Sequence, residues 1–352
     1  MSRLNRVFRF TAAAAAIAAA SWGVLTVTAP PHEGGAGIAY GEAHAPMRDT
    51  EIDFHLWYPA EPGGRSVTVG GNGVFFGTEA GRGAPVEPGR FPLVVISHGS
   101  GGNAGQYGWI AQALAEAGYA VALPNHPGTT TGNASAEAAM RLWERPADVR
   151  AVIDAIEAAP ETYPFIDTTR ISTLGFSAGG FTALALVGAR AEPAALNAFC
   201  DLPNGMSDCA FFAQQGIDLR AFDFGPVAED MSDPRVRAAV VIDPGIIQTV
   251  TDASLQAITV PVQLINLGDP GTVPAGVDAA HAATRIAGAQ FETVSDSVHF
   301  SFLARCKARG AAILEREGEL DPLCSDGGER SRADIHAELV QRITGFLAAI
   351  EG

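Results

Sequence analysis

The sequence predicts an α/β fold, a mainly parallel sheet with helices on both faces and a cap-like insertion, and three observations carry that prediction. From Phe91 onward, short apolar runs rich in β-branched residues alternate with amphipathic helical stretches, the pattern of strands joined by crossover helices. The runs are almost continuously apolar rather than alternating, as strands covered on both faces require. The rhythm breaks once, at residues 191–236, and an interruption that long within a compact domain is usually functional.

Taken in order, the chain opens with Arg3, Arg6 and Arg9 ahead of an uncharged, Ala-rich run over residues 10–28. This reads as an export signal over residues 1–29. Small residues around 18–21, at Ala29 and at 43–45 leave the cleavage site open. A membrane anchor is the alternative, but the run is near the lower limit for a bilayer span and is dominated by Ala. No Cys lies near its end to carry a lipid. Residues 30–50, rich in Gly, Pro and Ala, read as a linker before a domain covering 51–352. Ile52, Phe54, Leu56 and Trp57 start a strand, and residues 61–90 read as hairpins or loop.

Strands are then expected at 93–97, 119–123, 171–176, 238–242, 260–267 and 290–294. Helices are expected at 106–117, 146–158 and 178–189, with a closing helix over 332–350. The interruption at 191–236 holds Phe211, Phe212, Phe222 and Phe224 and is read as a cap over the site, with a surface decoration as the alternative. Four cysteines suit an oxidising compartment. Cys200–Cys209 and Cys306–Cys324 are the simplest pairing of three possible ones, and their spacing matches no usual zinc pattern. A net charge of −16 with no basic run argues against a nucleic-acid partner, although surplus acid also serves solubility.

The chemistry begins at Gly175-Phe176-Ser177-Ala178-Gly179, which fits G-x-S-x-G between a strand and an Ala-rich helix. A nucleophile there stands on a strained turn, and only glycine fits two residues to either side. The helix N-terminus behind Ser177 favours a developing oxyanion. His98-Gly99-Ser100-Gly101-Gly102 follows the strand at 93–97. It can supply the second oxyanion donor, so the pair is assigned to the N–H groups of Ser100 and Ala178, with Gly101 as a nearby candidate. The loop lacks the ending of a phosphate-binding P-loop, and His98 is read as its brace.

His299 follows the last expected strand, and the chain order serine, acid, histidine is that of the α/β-hydrolase fold. His281 and His336 fall on helices, and His126 comes too early. Asp243 ends the strand 238–242, and Asp269 follows the next strand within Gly268-Asp269-Pro270-Gly271-Thr272-Val273-Pro274. The usual acid position in such a turn falls on Gly271, so Asp243 is preferred and Asp269 is the alternative. Asp296 is too close in sequence to reach around His299.

The elbow, the His98–Gly102 loop, Pro124-Asn125-His126-Pro127-Gly128 and His299-Phe300-Ser301-Phe302-Leu303 with Cys306 resemble bacterial predicted dienelactone-hydrolase proteins, relatives of the platelet-activating-factor acetylhydrolases. The resemblance covers roughly residues 45–350. It implies an acid on the earlier strand, in line with Asp243, and short-chain or oxidised acyl esters as substrates. The dienelactone hydrolases proper use a cysteine nucleophile where this chain has Ser177, so their substrate does not carry over.

The expectation is therefore an exported, periplasmic or secreted serine esterase with Ser177, His299 and Asp243 as its triad. It is expected to act on a small-molecule ester without metal or organic cofactor and without stable membrane insertion. A polyester or cutin-like hydrolase and a peptidase are the enzymatic alternatives. A non-catalytic binding protein on the same fold is the alternative of another class.

Overall fold

The computed structural model describes residues 31–201, 208–319 and 321–351. The expected export signal lies outside them. Among the described residues no helix is long and apolar enough to cross a membrane.

The N-terminal part departs from the linker expected over 30–50. Residues 31–82 form five strands: β1 (Pro31–His32), β2 (Gly35–Ala45), β3 (Thr50–Ala60), β4 (Gly63–Val69) and β5 (Thr78–Arg82). β2 pairs with β3 antiparallel along its whole length, from Gly35 opposite Ala60 to Ala45 opposite Thr50. The glycines that suggest a linker in fact make room. A Cβ on Gly37 would come within 2.2 Å of the Tyr58 ring, and one on Gly41 within 2.2 Å of the Phe54 ring. Aromatic side chains of β3 lie across these positions, supplying cross-strand packing that β2 cannot supply itself. Such packing is invisible when β2 is read alone.

The parallel half follows the rhythm read from Phe91. Its strands are β6 (Phe91–Ser97) and β7 (Ala120–Pro124), then, after the short hairpin β8 (Thr129–Thr130) and β9 (Asn133–Ala134), β10 (Ile166–Phe176), β11 (Val236–Ile242), β12 (Val262–Leu267) and β13 (Gln290–Val294). Among the described residues the main sheet has eleven strands in the order β1-β4-β5-β2-β3-β7-β6-β10-β11-β12-β13. β7 through β13 in that order run parallel, and β3 joins β7 antiparallel.

The helices are α1 (Gly108–Glu116), α2 (Ala136–Met140), α3 (Glu144–Glu157), α4 (Ala178–Leu186), α5 (Pro193–Asn197), α6 (Asp208–Gln214), α7 (Asp252–Gln256), α8 (Ala280–Arg285), α9 (Gly310–Glu317) and α10 (Arg332–Glu351). The central strands β6, β7, β11 and β12 are buried on both faces, and successive strand residues serve opposite cores. Ala238, Val240 and Ile242 of β11 pack with Ile110 and Leu114 of α1 and Ile335 and Leu339 of α10. Ala239 and Val241 pack with Phe181 and Leu184 of α4. Val149, Val152 and Ile153 of α3 cover Leu93 and Val95 of β6.

The described residues of the interruption at 191–236 fold into α5, α6 and three 3-10 turns. Its Leu196, Phe199, Leu219 and Phe224 are buried against Met140, Leu142 and α4. Asn197 Nδ2 donates to the carbonyls of Leu219 (2.5 Å) and Phe222 (3.0 Å), and a disulfide joins Cys200 to Cys209 within the segment.

Candidate active site

Ser177 stands between β10 and α4 with φ 56° and ψ −123°, a backbone conformation that costs energy and is kept only where the surroundings enforce it. The enforcement is steric. A Cβ on Gly175 would lie 1.8 Å from the Gly179 carbonyl oxygen, and one on Gly179 would lie 1.9 Å from the Ser97 carbonyl oxygen. Only glycine permits strand, turn and helix to approach this closely. Ser177 and Ala178 are half-buried and Ser100 is exposed.

Two free N–H groups flank the serine, and each is the outward end of a peptide unit whose carbonyl is held from behind. The Ser177 carbonyl accepts from the N–H groups of Gly245 (2.8 Å), Gly180 (2.8 Å) and Phe181 (3.2 Å). In a trans peptide the N–H points opposite the C=O, so the Ala178 N–H faces the cavity. The Gly99 carbonyl likewise accepts from Gly102 N–H (3.1 Å) and from His98 Nδ1 (2.7 Å), which turns the Ser100 N–H outward. The other N–H groups of that loop are taken: Gly99 donates to Tyr107 Oη (3.0 Å) and Gly101 to the Thr129 carbonyl (2.8 Å). Gly101 therefore has no N–H to offer. Ser100 and Ala178, with Ser177, line one pocket.

His98 Nε2 accepts the His126 N–H (3.2 Å), so its proton sits on Nδ1. Burial, followed by Arg145 and His126, holds its pKa well below the ordinary histidine range, and the ring stays a neutral brace.

His299 is buried on the turn after β13, with its Nδ1 2.9 Å from Asp243 Oδ2. Asp243 is fully buried at the end of β11 with φ 41°. Its Oδ1 accepts from Leu267 N–H (2.9 Å) and Asn266 Nδ2 (2.8 Å). Asn266 is itself fixed by Ala279 N–H (2.9 Å) and the Val277 carbonyl (2.8 Å). With both its oxygens engaged, Asp243 takes the Nδ1 proton of His299 as its hydrogen-bond partner and leaves Nε2 able to accept one. The Phe176 ring packs on the imidazole at 4.6 Å. Asp269 stands apart from this arrangement. It is exposed, and its carbonyl accepts from Thr272 N–H (2.9 Å) and Oγ1 (2.8 Å), closing its turn.

The turn bearing His299 is anchored from α10. His336 Nε2 donates to the Ser301 (3.0 Å) and Leu303 (3.1 Å) carbonyls, with Trp109 stacked on its ring at 3.6 Å. Burial pushes His336 down to about 3. The Cys306–Cys324 disulfide and the buried Arg332, which donates to the Ala304 (3.2 Å) and Leu323 (2.9 Å) carbonyls, hold the next two loops together.

Ser177 and His299 line a common cavity of about 160 Å³ with Ser100, Glu319 and Asp321. On one side of Ser177 an apolar pocket of about 70 Å³ is walled by Met140, Leu142, Leu196, Phe199, Leu219 and Phe224. Beyond His299, a larger cleft of about 330 Å³ is lined by Leu267, Val298, Phe300 and Pro322 as well as Ser297 and Asp321.

Sequence reasoning passes over Asn266, although a polar residue ending an apolar strand run is a readable signal. It also passes over Arg145 and its contacts.

Comparison with known proteins agrees with this architecture. The model of the prolyl oligopeptidase family, Peptidase_S9, matches residues 105–196. A ferulic acid esterase from Streptomyces cinnamoneus superposes with a TM-score of 0.60 at 21% identity, covering 91% of each chain. A dienelactone hydrolase-like promiscuous phosphotriesterase from metagenomic libraries superposes with a TM-score of 0.50 at 14% identity, covering 89% of this chain and 99% of that one. A comparison with curated protein sequences gives no match. The chain has the α/β-hydrolase fold, and the resemblance read from the sequence holds at that level.

Proposed function

We propose that this chain is a serine esterase that cleaves short-chain acyl esters through an acyl-enzyme. In this reading His299 Nε2 takes the proton from Ser177 Oγ as the hydroxyl attacks the ester carbonyl, and Asp243 orients and charge-balances the imidazole. The tetrahedral oxyanion rests on the N–H groups of Ser100 and Ala178. Collapse expels the alcohol, protonated by His299. Water activated by the same imidazole then releases the acid.

The asymmetry of the site supports the substrate class. An apolar cavity of about 150 Å³ accommodates one benzene ring. The pocket of about 70 Å³ beside Ser177 suits an acyl chain of a few carbons better than an aromatic acyl group such as a feruloyl. The cleft of about 330 Å³ beyond His299 leaves room for a bulkier alcohol. The insertion acts as a cap that walls the acyl side. The paired cysteines support the export reading, with the enzyme periplasmic or secreted.

The match to the prolyl oligopeptidase family over 105–196 favours a peptidase as the second reading. Rates on p-nitrophenyl esters from acetate to dodecanoate, on methyl ferulate and on peptide p-nitroanilides separate the two. We expect kcat/KM to peak at two to four carbons and to fall at least about tenfold by eight, since each misplaced methylene costs about 1 kcal/mol or more. Faster cleavage of the anilides, or of methyl ferulate, would overturn the reading.

A further inference from the structure

The residues beneath the oxyanion donors converge on one guanidinium. Arg145, in the first turn of α3, is only 1% exposed. Its Nη2 donates to the His98 carbonyl and, at 3.4 Å, to Ser97 Oγ. Its Nη1 donates to Thr129 Oγ1 at 2.7 Å, and its Nε to Thr182 Oγ1 at 3.3 Å. Every one of these acceptors is neutral, and among the described residues no carboxylate lies within ion-pair distance of Arg145. Burial lowers its pKa to about 10, with Asp148 nearby opposing the fall, so the cation persists at neutral pH.

A buried cation without a contacting anion is a poor choice for stability alone, since apolar side chains of similar volume usually serve as well or better. What distinguishes Arg145 is which segments it joins. The His98 carbonyl belongs to the loop whose next peptide unit presents the Ser100 N–H. Thr182 Oγ1, which accepts from Arg145, donates in turn to the Ala178 carbonyl at 3.0 Å, at the start of the helix that presents the Ala178 N–H. Thr129, the third acceptor, uses its own carbonyl to hold Gly101 N–H (2.8 Å). Thr131 completes that side through Gly102 O (2.8 Å) and Gly101 O (2.6 Å). The two donors sit on segments far apart in sequence, and the planar fork spans both.

We propose that Arg145 is the positioning residue that sets the separation and aim of the two oxyanion N–H groups. The inference rests on the reading of Ser100 and Ala178 as those donors. Arg145 touches no reacting atom. It acts through His98 on one side and Thr182 on the other. A lysine keeps the charge but cannot reproduce a rigid fork that serves three directions at once.

The test compares Arg145→Met, Arg145→Lys and Thr182→Val in the full-length protein, with active sites counted by a fluorophosphonate probe. For Arg145→Met we expect kcat per active site to fall roughly a hundredfold, the scale of losing one oxyanion donor, with KM within about threefold. Affinity for an alkyl boronic acid, which forms a tetrahedral anion on the serine, should fall in parallel with kcat/KM. Arg145→Lys should recover little of this. Thr182→Val removes only the link to Ala178, keeps the fold if Arg145→Met loses it, and should show a several-fold fall in both readouts. Unchanged kcat and boronate affinity in Thr182→Val, or in folded Arg145 variants, would overturn the proposal, as would full recovery by lysine. If the wild type is not labelled at Ser177, it is the esterase reading that fails instead.

Discussion

The floor beneath Ser177 and the insertion beside it are held by opposite means. The floor is a polar lattice in which the carbonyls of His98, Gly99, Gly101, Gly102, Ser177 and Ala178 each have a donor. The Ser100 and Ala178 N–H groups line the same pocket as Ser177. The insertion is held by apolar burial of Leu196, Phe199, Leu219 and Phe224, with a disulfide between Cys200 and Cys209 within it. Hydrogen bonds are directional and fix orientation, whereas apolar contacts fix volume and tolerate adjustment. The difference predicts a division of labour: changes in the floor act on kcat, and changes in the insertion act on which acyl chain is accepted.

The largest effect belongs to the acid that supports His299. Asp243→Asn leaves the packing in place but favours the wrong imidazole tautomer, and it should lower kcat by about 10³- to 10⁴-fold. Asp269→Asn, on an exposed turn, should stay within about twofold. Steady-state kinetics on p-nitrophenyl butyrate check both. A severe loss in Asp269→Asn beside a mild one in Asp243→Asn would move the acid to β12. A smaller effect, and one of a different kind, is expected on the other side of the comparison. Leu219→Ala widens the acyl pocket, so the octanoate-to-butyrate ratio of kcat/KM should rise about tenfold, while kcat on acetate changes little. A uniform fall in kcat across all chain lengths would erase the distinction between floor and insertion.

How far each region could be read from the sequence follows the same divide. The pairing of His299 with Asp243 was readable because Asp243 ends an apolar strand run and His299 follows the last strand, in the chain order serine, acid, histidine. The glycines around Ser177 were readable because close backbone approach admits nothing else. Gly37 and Gly41 misled, since their reason lies in the Tyr58 and Phe54 rings across the strand. Arg145 escaped notice for a related cause. Its partners are one carbonyl and three hydroxyls scattered over three segments, and nothing in their spacing marks them as one cluster. The insertion was legible as an interruption rich in phenylalanine, but which of its side chains face Ser177 depends on turns that composition does not specify.

The central claim is that Ser177 is a nucleophile activated by a buried His299–Asp243 pair. A fluorophosphonate probe followed by peptide mass spectrometry tests it most directly. We expect a single adduct on Ser177 in the wild type, strongly slowed in Asp243→Asn and absent in Ser177→Ala. No adduct on the wild type, or one on a serine other than Ser177, would contradict it.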